Sequence, residues 1–89
     1  MAEMAEITIY TTEYCPYCHR AKALLTKKGA EFHEIDVTYD PAQRAEMTAK
    51  ANGRRTVPQI FVDGKHIGDC DGIHALEERG RLDPLLAGA

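Results

Sequence analysis

Cys15 and Cys18 enclose a proline and a tyrosine, and of all the residues in this chain they are the best suited to chemistry. Sulfur in a Cys-x-x-Cys pair either holds a metal or exchanges disulfides. Structural zinc needs four ligands, and the other candidates here are Cys70, His19, His33, His66 and His74. None of these makes a second close pair at zinc-finger spacing, so the pair reads as redox-active. Cys70 makes the cysteine count odd, which does not suggest a structural disulfide framework.

The local sequence gives the two sulfurs unequal roles. Pro16 suits the first position of a helix, where its fixed φ fits and its missing N–H costs nothing. A thiol at such a helix start faces unpaired backbone N–H groups and the positive end of the macrodipole, which favour thiolate over thiol. Cys18 lies about one turn deeper on the same side and should be more buried and harder to ionise. Cys15 is therefore the candidate nucleophile and Cys18 the resolving thiol, within reach of a Cys15–Cys18 disulfide.

The elements that must position this pair follow from the pattern of the chain. Ile7-Thr8-Ile9-Tyr10 alternates and is rich in β-formers, predicting a first strand. Ala21, Leu24, Leu25 and Lys28 continue with helical spacing from Tyr17, and Gly29 is a stop signal. His19 reads as an exposed helix residue. Phe32 to Val37 predicts a second strand with His33, Ile35 and Val37 on one face. Asp40-Pro41-Ala42-Gln43 reads as a helix start with a capping box, and Asn52-Gly53 ends that helix. Gln59 to Val62 and Lys65 to Ile67 predict two strands joined at Asp63-Gly64, a strong type I′ hairpin signal. Asp71 is the expected cap of a further helix that buries Ile73 and Leu76 and stops at Gly80. Asp83-Pro84 predicts a final turn docking Leu85 and Leu86. The resulting β-α-β-α-β-β-α order predicts a three-layer α/β domain with a right-handed first crossover.

Composition narrows the function classes. With 89 residues the chain fits one domain, and its net charge of −3 argues against a nucleic-acid partner. No apolar run approaches the roughly 20 residues needed to span a bilayer. The first six residues carry two acidic groups and no basic one, unlike a signal peptide, so a cytoplasmic protein is expected. Basic residues gather at Arg20 and Lys22 and again at Arg54-Arg55, where a small anionic ligand would be welcome; ordinary solvated charge is the bland alternative.

Several motifs together resemble the glutaredoxin family, dithiol type, most of all its small bacterial members. They are Cys15-Pro16-Tyr17-Cys18, Thr56-Val57-Pro58 running on into Gln59-Ile60-Phe61, Gly68 with Cys70-Asp71, and Leu82-Asp83-Pro84-Leu85-Leu86. The likeness extends from about Met4 to Leu86. It implies a thioredoxin fold, with a four-stranded mixed sheet flanked by helices on both faces, in a single domain spanning 1–89. It implies a glutathione-dependent oxidoreductase that reduces protein disulfides and glutathione mixed disulfides, with glutathione as cosubstrate and no permanently bound cofactor or metal. The implied glutathione contacts are Cys15, Tyr17, Thr56, Val57, Pro58, Cys70 and Asp71. Pro58 would be cis and the Val57 backbone would lie beside Cys15. The helix start at Cys70-Asp71 would face the γ-glutamyl carboxylate, Asp71 or else Asp69 would take the ammonium, and Tyr17 would wall the groove.

Each of these residues also has a plainer role. Thr56-Val57-Pro58 equally suits a loop leading into a strand, Tyr17 could pack on the domain, and Cys70 could be a small buried apolar residue. The partners implied are glutathione and disulfide or glutathionylated proteins, ribonucleotide reductase among them; a monomer is the default. Two other activities stay open on the same fold: a redoxin reduced by thioredoxin reductase, and an iron–sulfur carrier bridging two chains through Cys15 and glutathione. The sequence departs from the family at three places. Thr12 stands where a lysine is usual, Asp69 replaces the second glycine of Gly-Gly-Cys-Asp-Asp, and Gly72 replaces its last aspartate. Arg20, Arg54 and Arg55 are the candidates to supply the missing cation.

Overall fold

Alternation along the first strand sorts its side chains between two faces, and the rest of the chain is layered on that division. The computed structural model describes residues 5–87; residues 1–4 and 88–89, which the single-domain reading takes in, lie outside the described residues. Strand β1 (Ile7–Thr11) sends Ile7 and Ile9 into one core and Tyr10 into the other. The chain continues through α1 (Pro16–Lys27), β2 (Phe32–Asp36), α2 (Pro41–Lys50), β3 (Gln59–Val62), β4 (Lys65–Gly68), α3 (Cys70–Glu78) and α4 (Leu82–Leu86). The sheet order is β2-β1-β3-β4, with β1 and β2 parallel and the two other pairings antiparallel.

On one face Ile7, Ile9, Ile60 and Val62 pack with Leu25 of α1, Ile73 of α3 and Leu82 and Leu86 of α4. On the other, Tyr10 and Phe61 pack with Val37, Met47 and Ala51, the Tyr10 and Phe61 rings meeting edge to face at 5.5 Å. Helices therefore cover both faces of a mixed four-stranded sheet, which is the thioredoxin fold the sequence implied.

The punctuation matches its chemistry. Asp40 caps α2 by accepting the Gln43 N–H, and the Gln43 amide returns to the same carboxylate. Asp63 and Gly64 take φ of 51° and 81°, as a type I′ turn demands.

Four details differ from the sequence reading. The buried stripe of α1 is Cys18, Ala21, Leu24 and Leu25; it is set from Cys18, while Tyr17 turns outward. Lys28 caps the end of α1 and pairs with Glu77 and Asp83 instead of extending the stripe. His33 is exposed, on the edge strand β2. The terminal segment is a short helix that buries Leu82 and Leu86 and leaves Leu85 only half-buried.

Candidate active site

Cys15 occupies the N-cap position of α1, and its Sγ accepts the Cys18 backbone N–H at 3.1 Å. Capping residues are normally oxygen-bearing side chains that satisfy the orphan donors of the first turn. Here sulfur does that work, and an ionised acceptor makes the stronger bond. The Cys15 thiol also lies 3.7 Å from the Val57 carbonyl oxygen, to which it donates. Pro58 is buried and the Val57–Pro58 peptide is cis, as the resemblance implied. Cys15 is 8% exposed and Cys18 is 1% exposed, so Cys18 is the deeper of the two residues.

Depth also bears on the acidity of Cys18. Burial pushes the Cys18 thiol up to about 12, with the hydrogen bond to Cys15 adding to the rise. All three cysteines are free thiols. Cys70 belongs to the apolar core on the α1 side, and burial raises its thiol too. Its sulfur stands 3.6 Å from His74 Nδ1.

A groove of about 240 Å³ opens beside the pair, lined by Tyr17, Thr56, Val57, Pro58, Asp69, Cys70 and Asp71. Six of these seven are among the implied glutathione contacts, and Asp69 is the alternative for the ammonium; Cys15, also an implied contact, is not among the lining residues but meets Val57. Tyr17 is 55% exposed and walls the groove from α1. The start of α3 forms the far wall. Asp71 lies in the first turn of α3 and is not its cap: Asp69 Oδ1 accepts the Gly72 N–H at 2.8 Å, and the helix begins at Cys70. The cap moved because Asp69 has the extended backbone an N-cap needs, whereas Asp71 already stands inside the first turn.

Of the arginines proposed to replace the missing lysine, Arg54 is tied to Asp69 Oδ2 at 3.1 Å. Arg55 contributes its carbonyl oxygen, which accepts from Arg44. Arg20 acts on Cys70, whose ionisation its charge favours.

Two polar networks under the site were not foreseen. Gln59 is completely buried, and its amide donates to the Thr56 carbonyl at 3.0 Å and to the Thr56 hydroxyl at 3.2 Å. Its oxygen meets His66 Nε2 at 2.6 Å, so this nitrogen carries the proton. Burial lowers the His66 pKa, and the nearby Arg54 charge lowers it further. The second network joins buried Thr11 to Glu34 at 2.7 Å and Glu34 to Lys22 at 3.0 Å. The Thr11 hydroxyl, with help from Lys22, holds the Glu34 carboxyl below its ordinary range. The available signal for Gln59 was an amide opening an otherwise apolar strand directly after a proline.

Among the described residues no group of three or more His, Cys, Asp or Glu is gathered as metal ligands would be. No helix among them is long and apolar enough to cross a membrane.

Comparison with known proteins agrees with this geometry. Residues 7–67 match the glutaredoxin family model. Glutaredoxin 3 of Escherichia coli strain K12 is 59% identical over 83 residues, covering 93% of this chain and 99% of its own. The solution structure of a glutaredoxin from Brucella melitensis superposes with a TM-score of 0.84 at 55% identity, covering 94% of this chain and 90% of that one. A buckwheat glutaredoxin–glutathione complex superposes with a TM-score of 0.83 at 34% identity, covering 94% and 78%. Similarity of this extent, in sequence and in backbone, reaches well past the Cys-x-x-Cys pair, and it settles the kinship: the chain belongs to the glutaredoxin family.

Proposed function

We propose that this chain is a glutathione-dependent thiol–disulfide oxidoreductase with Cys15 as its nucleophile and Cys18 as its resolving thiol. The observation that carries this reading is the Cys15 sulfur itself, capping α1 through the Cys18 N–H and lying 3.7 Å from the carbonyl oxygen of Val57, which lines the groove. Cys15 thiolate attacks the glutathione sulfur of a mixed disulfide; the old S–S bond breaks and the substrate leaves as a thiol after taking up a proton. A second glutathione, as thiolate, attacks the Cys15-bound glutathione sulfur, releasing glutathione disulfide and restoring Cys15. With a protein disulfide, Cys15 attacks one sulfur, and Cys18 then displaces the protein by attacking Cys15, leaving a Cys15–Cys18 bond. Two glutathiones reduce that bond. Glutaredoxin potentials of roughly −200 to −230 mV let the glutathione pool drive the cycle.

The groove residues Tyr17, Thr56, Val57, Pro58, Cys70 and Asp71 are proposed to seat glutathione, with the α3 N-terminus taking a carboxylate. A buckwheat relative of the same fold is known in complex with glutathione, which supports this placement. The chain is proposed to act as one domain, as a monomer, in the cytoplasm, without a permanently bound cofactor. Disulfide and glutathionylated proteins are its proposed protein substrates, with ribonucleotide reductase implied by the family resemblance.

A glutathione-coupled assay on Cys15→Ser and Cys18→Ser tests the assignment. Cys15→Ser is expected to abolish turnover with both mixed disulfides and protein disulfides, while Cys18→Ser keeps turnover of glutathione mixed disulfides. Full activity in Cys15→Ser would refute the nucleophile.

A further inference from the structure

Two of the departures from the family pattern, Asp69 and Gly72, prove to be one structural feature. Asp69 Oδ1 takes the Gly72 N–H at 2.8 Å, and a Cβ added at position 72 would come within 3.2 Å of that same oxygen. An aspartate at 69 and a glycine at 72 therefore fit together. The second carboxylate oxygen reaches out to Arg54 Nη1 at 3.1 Å, linking the segment before Thr56 to the start of α3. Asp69 lines the groove, and its side chain is 27% exposed, against 55% for Arg54.

We propose that Asp69 is a specificity-determining residue: it holds Arg54, cancels the guanidinium charge beside the groove, and reduces the preference for anionic over neutral disulfides. The inference rests on the glutathione reading of this groove. Glutathione carries two carboxylates and one ammonium and so brings net negative charge. An unpaired Arg54 beside the groove would attract it, whereas the neutral pair does not. The effect belongs to a partly exposed charge and is correspondingly modest.

Asp69→Asn separates charge from capping, because asparagine caps a helix about as well as aspartate. The measurement is the rate at which the reduced full chain is oxidised by glutathione disulfide, which is anionic, divided by its rate with neutral bis(2-hydroxyethyl) disulfide. In Asp69→Asn this ratio is expected to rise about threefold at low ionic strength, the size of one partly screened charge contact. The gap should close near 1 M salt, where the Debye length is about 3 Å. Asp69→Ser, which also caps, is expected to show the same rise, and Arg54→Gln a fall. An unchanged or lower ratio in the folded Asp69 variants, or a rise that salt does not erase, would overturn the role of Asp69. If the wild-type chain reacts no faster with glutathione disulfide than with the neutral one, the glutathione reading fails instead. The shift between wild type and Asp69→Asn would still decide what Asp69 does.

Discussion

The Cys18 backbone N–H points at Cys15 Sγ from 3.1 Å, so the residue proposed to resolve the reaction also donates to the sulfur proposed to start it. The bond needs only the Cys18 main chain, so side-chain substitutions at position 18 leave it in place. The Cys18 sulfur, meanwhile, is buried and raised to about 12.

That contrast sets the order of chemical modification. Iodoacetamide at neutral pH is expected to label Cys15 before Cys18 and Cys70, whose thiols burial disfavours as thiolates. Peptide mapping of a partially alkylated sample checks this. A label appearing first on Cys70 or Cys18 would be inconsistent with Cys15 as the accessible nucleophile.

Cys18 should also shape stability in alkaline solution. The folded chain keeps this proton to about 12, whereas an ordinary thiol loses it near 9.0. Between these values the unfolded chain binds fewer protons, so stability falls as pH rises. Below the lower value the contribution is fully present. Cys18→Ala is expected to lose less stability than wild type between about pH 8 and about pH 10.5, measured by urea denaturation. Parallel losses in the two proteins would count against the burial of this thiol.

How much of this was legible in the sequence depended on how local the cause was. Strands, the capping box at Asp40 and the turn at Asp63-Gly64 were readable because each is fixed by neighbours in sequence. The Cys15–Cys18 asymmetry was readable for the same reason, since a proline beside a cysteine marks a helix start. The groove was another matter: Tyr17, Val57 and Cys70 come from distant segments, and only the family resemblance brought them together. Asp71 was mistaken for the cap because residues 69 and 71 are both aspartates, and the choice between them lies in backbone angles at Asp69. Gln59 and Thr11 escaped notice because their partners, His66 and Glu34, are set by strand packing across the sheet.

The Thr11–Glu34 contact makes stability depend on pH in the opposite sense. The Glu34 pKa is held down mainly by the Thr11 hydroxyl, so its stabilisation is present above the ordinary value of 4.5 and fades as pH falls. Thr11→Val is expected to cost about 1 kcal/mol at neutral pH, at the low end because the carboxylate is partly exposed. The deficit should shrink near about pH 3, read from denaturation midpoints. A deficit independent of pH would assign it to packing instead.

Gln59 ties the groove to the core beneath it. Gln59→Leu removes the donor to both Thr56 oxygens and the acceptor for His66, at an expected cost of about 2 kcal/mol. Thermal unfolding measures that loss. Because Thr56 lines the groove, the KM for a glutathione mixed disulfide is expected to rise as well. A variant with native stability and native KM would show that the network positions nothing.

The central claim is that one sulfur forms the covalent link to glutathione, and it is tested most directly by trapping that link. Reduced Cys18→Ser is mixed with glutathione disulfide, the reaction is quenched with acid, and the adduct is located by peptide mass spectrometry. The expected result is one glutathione, on Cys15. Glutathione on Cys70 with Cys15 left free, or no adduct at all, would contradict it.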